Sequence, residues 1–123
     1  AHATIFMKYV LSCGGKVTLA PIAGVKTEWK SPLEAFEDTL AHERKVTALI
    51  HDLCVLAVEE KDFGTANMLK WFVDEQIEEE ANAQELIDSL KMIKDNGFGL
   101  YMLDKELKAR VYTTPAPLAT SAE

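Results

Sequence analysis

SPLEAFEDTLAHERKVTALIHDLCVLAVEEKDFG, residues 31–64, decides the architecture. Ser31-Pro32-Leu33-Glu34 supplies an N-cap, a proline at the first helical position and an S-x-x-E capping box, so a helix starts there. Nothing breaks it before Lys61-Asp62-Phe63-Gly64. A second long pattern of helical period follows from about Thr65 to Asp95, ended by Asn96-Gly97 with Gly99 beyond. Only a few residues separate the two, so the helices must fold back antiparallel as an αα-hairpin.

Working outward, Ala1 to Cys13 is helical in pattern, with His2, Phe6, Tyr9 and Cys13 on one face, and it stops at Gly14-Gly15 as a left-handed cap requires. It reads as the end of a longer helix, and the absence of an initiator Met suggests a trimmed or truncated start. Lys16 to Lys30, broken by Pro21 and Gly24, is too long for a tight turn and reads as an extended crossover. Leu100 to Ala109 is a short further helix, and Val111 to Glu123, with Pro115 and Pro117, reads as a flexible tail. Residues 1–110 are thus part of one domain and 111–123 its tail.

The composition narrows the function. The chain has 123 residues and 20 acidic against 13 basic side chains, a net charge of -7 that gives phosphates no general attraction and argues against nucleic-acid binding. The longest clear apolar run, Leu53 to Val58, falls far short of the roughly 20 residues of a bilayer span. No basic leader precedes an apolar stretch, so a reducing cytoplasm is the simplest location. Cys13 and Cys54 lie on apolar stretches without CxxC spacing and read as buried free thiols.

Chemistry enters where the apolar stripes are interrupted. On the first long helix the inward positions are Phe36, Leu40, Glu43, Thr47, Ile50, Cys54 and Ala57; on the second they are Leu69, Phe72, Gln76, Glu79, Ala83, Leu86, Leu90 and Ile93. A lone carboxylate desolvated in such a seam costs several kcal/mol or protonates, so it needs a counter-charge. No basic residue stands on either stripe at that level, and between Lys70 and Lys91 there is none at all. The missing charge is most economically a metal cation. Hard oxygen donors with an occasional imidazole suit iron, manganese, zinc or calcium, and facing helices of a bundle are where carboxylate-bridged di-metal sites are built. Glu43 and Glu79 fall within roughly 6 Å in height on antiparallel helices rising 1.5 Å per residue, so they can share an ion pair. Gln76 is one turn from Glu79 on the same face.

Blander readings apply to the neighbours. Asp74, Glu80, Glu85 and Asp88 read as a solvated acidic face. Gln76 alone is equally a hydrogen-bonded core amide. His42 and His51 point off the stripe and read as surface or packing residues, and His2 reads as a satisfied core histidine unless the same metal reaches it. Met68, Trp71 and Phe72 read as core or site-wall packing.

Trp71-Phe72-Val73-Asp74-Glu75-Gln76-Ile77-Glu78-Glu79-Glu80, preceded by His42-Glu43 and followed by Leu103-Asp104-Lys105-Glu106-Leu107, resembles the bacterial non-haem ferritins from His2 to about Arg110. The resemblance implies an all-α, ferritin-like four-helix bundle, of which this chain supplies the end of helix B, the long crossover, helices C and D and a short helix E. It implies iron storage with ferroxidase activity: Fe(II) is oxidised by dioxygen or peroxide at a di-iron site, and the ferric mineral is held in a cage of twenty-four subunits. Carried over by position, Glu43 resembles the carboxylate serving both irons, and Gln76 and Glu79 line the second iron. His2 resembles the histidine of the first iron, and Glu75 and Glu78, with Glu79, resemble carboxylates of a third iron site.

Relative to that family, roughly fifty residues, two helix lengths, are expected before His2, and with them two glutamates and a tyrosine of the site. Three arrangements accommodate this. The upstream helices belong to the functional protein; or two hairpins pair around a two-fold axis as a dimer or other non-cage oligomer that binds metal weakly; or the chain is a purely structural helical module.

Overall fold

The computed structural model describes residues 1–119, all of whose regular structure is helical: α1 (His2–Ser12), α2 (Pro32–Glu59), α3 (Phe63–Ile93), α4 (Gly97–Lys108) and α5 (Ala116–Ala119). Two compact units divide the chain, one of residues 1–26 with 104–123 and one of residues 27–103.

In the first unit, α1 ends as expected. Gly14 takes φ +77°, and the N–H groups of Gly14 and Gly15 donate to Leu11 O and Val10 O, which closes the helix in a Schellman arrangement. Ile5 is the buried residue of this helix, while Cys13, at its C-cap, is exposed. The expectation of two buried thiols is therefore corrected: Cys13 sits at the capped end of α1, where its side chain is solvent-facing. Cys54 is half-buried, and both thiols are free. In the region expected to be a flexible tail, residues 116–119 form a helical turn, with Leu118 N–H and Ala119 N–H donating to Pro115 O. The rest of that expectation, residues 120–123, lies outside the described residues.

The second unit is the αα-hairpin. Ser31 Oγ accepts from Glu34 N–H at 3.1 Å, and the Glu34 carboxylate reaches back to Lys30 N–H at 2.6 Å, one residue beyond the usual capping-box partner. Trp29 is tied to the same turn through Nε1–H donating to Asp38 Oδ2 at 2.7 Å. The connection between the long helices is shorter than the sequence suggests, Glu60, Lys61 and Asp62 alone. Lys61 takes the left-handed conformation at φ +56°, where glycine is usual, and its N–H with that of Asp62 closes α2 on Val58 O and Ala57 O. Asp62 then caps the next helix: Oδ1 accepts from Thr65 N–H at 2.9 Å and Oδ2 from Thr65 Oγ1–H at 2.5 Å. Because one residue serves both helix ends, α3 begins at Phe63, and Gly64 lies inside the helix rather than in the turn.

α4 likewise begins earlier than the expected Leu100. Asn96 Oδ1 accepts from Gly99 N–H at 3.0 Å, so the two glycines read as breakers form its first turn. Gly99 is required there, because a Cβ would come within 2.8 Å of Ile93 Cγ2.

The seam of α2 and α3 follows the expected stripes. Leu40, Ile50 and Ala57 are buried on α2, and Leu69, Phe72, Gln76, Ala83, Leu86 and Leu90 on α3, joined by Ile87. Toward the open end of the hairpin, Leu40, Ala83 and Ile87 form an apolar cluster with Leu33 and Phe36 packed against it. Burying an aliphatic side chain of this size contributes about 1.5–3 kcal/mol relative to exposure, so this layer anchors the hairpin. Near the turn, Leu69 and Phe72 are fully enclosed, and the Trp71 ring meets Phe72 edge-on at 4.9 Å. Between these apolar layers lies a polar one.

Candidate metal centre

Gln76 is the one polar residue of the buried set among the described residues, 2% exposed. The α3 stripe carries its side chain against α2, where three acceptors lie within 3.2 Å of Nε2: Glu43 O, Glu43 Oε2 and Thr47 Oγ1. An amide nitrogen has two hydrogens to share among them. The carbonyl end of the same amide, Oε1, is fully buried and has no hydrogen-bond partner among the described residues. An unsatisfied buried carbonyl costs about 1–3 kcal/mol, which the surrounding packing must offset.

Thr47 extends the layer. Its hydroxyl approaches Glu43 O at 3.0 Å and Glu80 Oε1 at 2.6 Å, and the other Glu80 oxygen lies 3.7 Å from Arg44 Nε. Glu80 was expected on a solvated acidic face. It is instead held against α2 by a hydroxyl and a guanidinium, because the long side chain of Arg44, although off the stripe, spans the gap between the helices. Contrary to the expectation that no basic residue serves this level, Arg44 does so for Glu80. Beside the layer is a cavity of about 380 Å³ lined by Thr47, His51, Val73, Gln76, Ile77 and Glu80, so His51, itself exposed, borders it rather than standing apart.

The other residues singled out from the sequence are placed as follows. Glu43 is half-buried and in contact with Gln76. Glu75 and Glu79, one turn apart on α3, are half-buried, with carboxylate oxygens within 4.8 Å of each other; Glu78 is exposed. His2, the first residue of α1, is half-buried. His42 is exposed, as expected of a lateral position.

Glu75 and Glu79 on α3 approach each other, Glu43 on α2 meets the Gln76 amide, and the Gln76 carbonyl oxygen has no hydrogen-bond partner; oxygen donors of these kinds suit a hard divalent cation. The neighbours of Gln76 and Glu43 whose contacts the sequence did not reveal are Thr47, Glu80 and Arg44. The signal for Thr47 was present, since a hydroxyl stands on the apolar stripe one turn from Glu43. Nothing in the spacing indicated that Glu80 turns inward, because it lies one residue past the stripe position.

Comparison with known proteins adds to this geometry. The ferritin-like domain family matches residues 1–93. Among characterised relatives, the bacterial non-heme ferritin of Staphylococcus saprophyticus is 41% identical over 111 residues, covering 90% of this chain and 66% of the relative. That of Staphylococcus haemolyticus is 40% identical, with 90% and 67% covered. Among solved structures, an open-pore ferritin from the archaeon Archaeoglobus fulgidus superimposes with a TM-score of 0.88 at 44% identity, covering 89% of this chain and 68% of that one. A humanized archaeal ferritin superimposes with a TM-score of 0.91 at 43% identity, covering 92% and 68%. The chain therefore spans about two thirds of the length of the proteins it matches, and no helix among the described residues is long and apolar enough to cross a membrane.

Proposed function

This chain belongs to the ferritin family and has its all-helical, ferritin-like fold, and from that premise we propose that it serves cytoplasmic iron storage and oxidises Fe(II) at a carboxylate site on the α2–α3 seam. The observation that carries the reading is the polar layer, in which the amide nitrogen of Gln76 meets the Glu43 carboxylate while the buried carbonyl oxygen at the other end of the same amide stands without a donor. A structural core amide would have both ends satisfied. A buried oxygen with free lone pairs, on an amide whose other end is held by a carboxylate and a hydroxyl, is open to a cation.

Iron is here the substrate. Glu43 is assigned to both ions of a pair, Gln76 and Glu79 to the second ion and His2 to the first. Glu75 and Glu78, with Glu79, are assigned to a third site, for which the approach of Glu75 to Glu79 gives support. Carboxylates lower the reduction potential of the ions they bind and leave coordination positions open. Each of two Fe(II) ions gives up one electron, and dioxygen or peroxide accepts the pair. A neutral amide at Gln76 binds ferric ion weakly, which favours release of the oxidised product to a mineral rather than its retention. Self-association, as a cage when the bundle is complete, supplies the enclosed volume that storage requires.

The decisive experiment adds Fe(II) to the chain under air and follows ferric absorbance. A fast phase at two irons per site, lost in Glu43→Ala, is expected. A fast phase that survives Glu43→Ala removes that residue from the role, and its absence from the unaltered chain favours the reading as a non-cage or purely structural hairpin module.

A further inference from the structure

We propose that Thr47 is a positioning residue which, with Glu80 and Arg44 behind it, fixes the side-chain amide of Gln76 so that its carbonyl oxygen is presented to a divalent cation. The inference rests on the reading of the seam as an iron site and deepens it.

A threonine hydroxyl has one proton and two lone pairs. Two acceptors compete for the proton of Thr47, and the carboxylate wins: Glu80 Oε1 is at 2.6 Å and charged, whereas Glu43 O is at 3.0 Å, neutral and part of the helix backbone. Glu80 is kept in place by Arg44 across the same gap. With its proton committed, Thr47 Oγ1 can meet Gln76 only as an acceptor, so the amide must turn its NH2 group toward it. The reversed amide would set its oxygen against Glu43 O, Glu43 Oε2 and a hydroxyl with no proton left to give. The free carbonyl of Gln76 is thus a consequence of three acceptors on α2, of which Thr47 is the one with a fixed polarity.

Thr47 matters most once an ion arrives. A cation at Glu43 competes with Gln76 for the carboxylate, and the carbonyl of Glu43 remains as a backbone acceptor only. Thr47 is the side-chain acceptor that this competition leaves untouched, so it keeps the amide oriented in both the empty and the loaded state. Residues that orient metal ligands in this way typically change affinity 10- to 100-fold when removed.

The test compares the full chain with Thr47→Val, which keeps the shape and removes the hydroxyl, Thr47→Ser, which restores it, and Glu80→Gln, which weakens the proton's acceptor. Two readouts are taken. In metal-free protein, nitrogen-15 NMR of the Gln76 side-chain amide should show one proton losing its hydrogen-bonded shift in Thr47→Val and keeping it in Thr47→Ser. With Co(II) as a redox-inert probe followed by its visible absorbance, Thr47→Val should bind about tenfold or more weakly, Glu80→Gln by a smaller factor, and Thr47→Ser like the unaltered chain. Unchanged amide shifts and unchanged Co(II) affinity in Thr47→Val overturn the positioning role while leaving the iron reading intact. Failure of the unaltered chain to bind Co(II) overturns the iron reading itself, and the role assigned to Thr47 falls with it.

Discussion

Two neighbouring levels of one helix–helix seam are built on opposite principles. At the open end of the hairpin Leu33, Phe36, Leu40, Ala83 and Ile87 close on each other with no polar side chain among them, and the ion pair Glu37–Lys91, 3.7 Å apart and solvent-exposed, contributes little. In the middle, Glu43, Thr47, Gln76 and Glu80 meet through hydrogen bonds and leave one carbonyl unsatisfied. The apolar level has adhesion without direction, since sliding one helix past the other by a turn would still bury apolar surface. The polar level has direction and a cost. The same slide would separate Gln76 from all three of its acceptors and Thr47 from Glu80. On the proposed function, stability and chemistry are thereby assigned to different levels of the same two helices.

If this division is correct, the largest effect belongs to the apolar level. Ile87 is 2% exposed, and Ile87→Ala removes its methyl groups from an enclosed layer, with an expected loss of about 2–5 kcal/mol in unfolding free energy. Urea denaturation measures it, and a loss under about 1 kcal/mol would show that the open end does not anchor the hairpin.

The polar level should respond to ions rather than to truncation. In metal-free protein Glu43→Gln keeps an acceptor for Gln76 and relieves no packing, so stability should change by less than about 1 kcal/mol. With Co(II) or Zn(II) present at about a hundred times its dissociation constant, the unaltered chain should gain about 2.7 kcal/mol by linkage and Glu43→Gln should gain much less. Thermal scans with and without ion read both quantities. Equal gains in the two proteins would place the ion elsewhere than Glu43, and a large loss in the metal-free variant would make Glu43 a structural residue.

The contrast between levels also explains what the sequence reveals. Periodicity alone yields the two stripes, because burial of Leu40, Ile50, Leu69, Phe72, Ala83 and Leu90 depends on which face each residue occupies. It likewise marks Glu43 and Gln76 as anomalies, since a polar side chain on such a face demands a partner. It does not name the partner. Whether Glu80 turns inward depends on the reach of Arg44 from the other helix and on the proton of Thr47, which are pairwise properties of side chains 33 and 36 residues apart. The turn is misread for a related reason. Gly64 draws attention as a breaker, while the residue that ends one helix and starts the next is Asp62, whose double role appears only when both helix ends are in place.

That double role sets the smallest and sharpest of the expected effects. The hydroxyl of Thr65, and after it the Thr65 backbone N–H, hold the Asp62 carboxyl below its ordinary value of 3.8, despite a slight opposing effect of desolvation. A carboxylate whose value is depressed by folding adds stability that is fully present above its unfolded value and is lost as pH falls through the folded one. The cap at the hairpin turn should therefore be constant above about pH 4 and weaken only in stronger acid. Asp62→Asn retains an oxygen acceptor for Thr65 but carries no charge, so its melting temperature should lie slightly below that of the unaltered chain near neutrality, with the two converging below pH 3.8. A difference that persists unchanged in acid would mean that the charge of Asp62 is irrelevant to the turn. In that case the cap would act through the placement of its side-chain oxygens on Thr65, beside the backbone bonds of Lys61 and Asp62 to the end of α2, and not through ionisation.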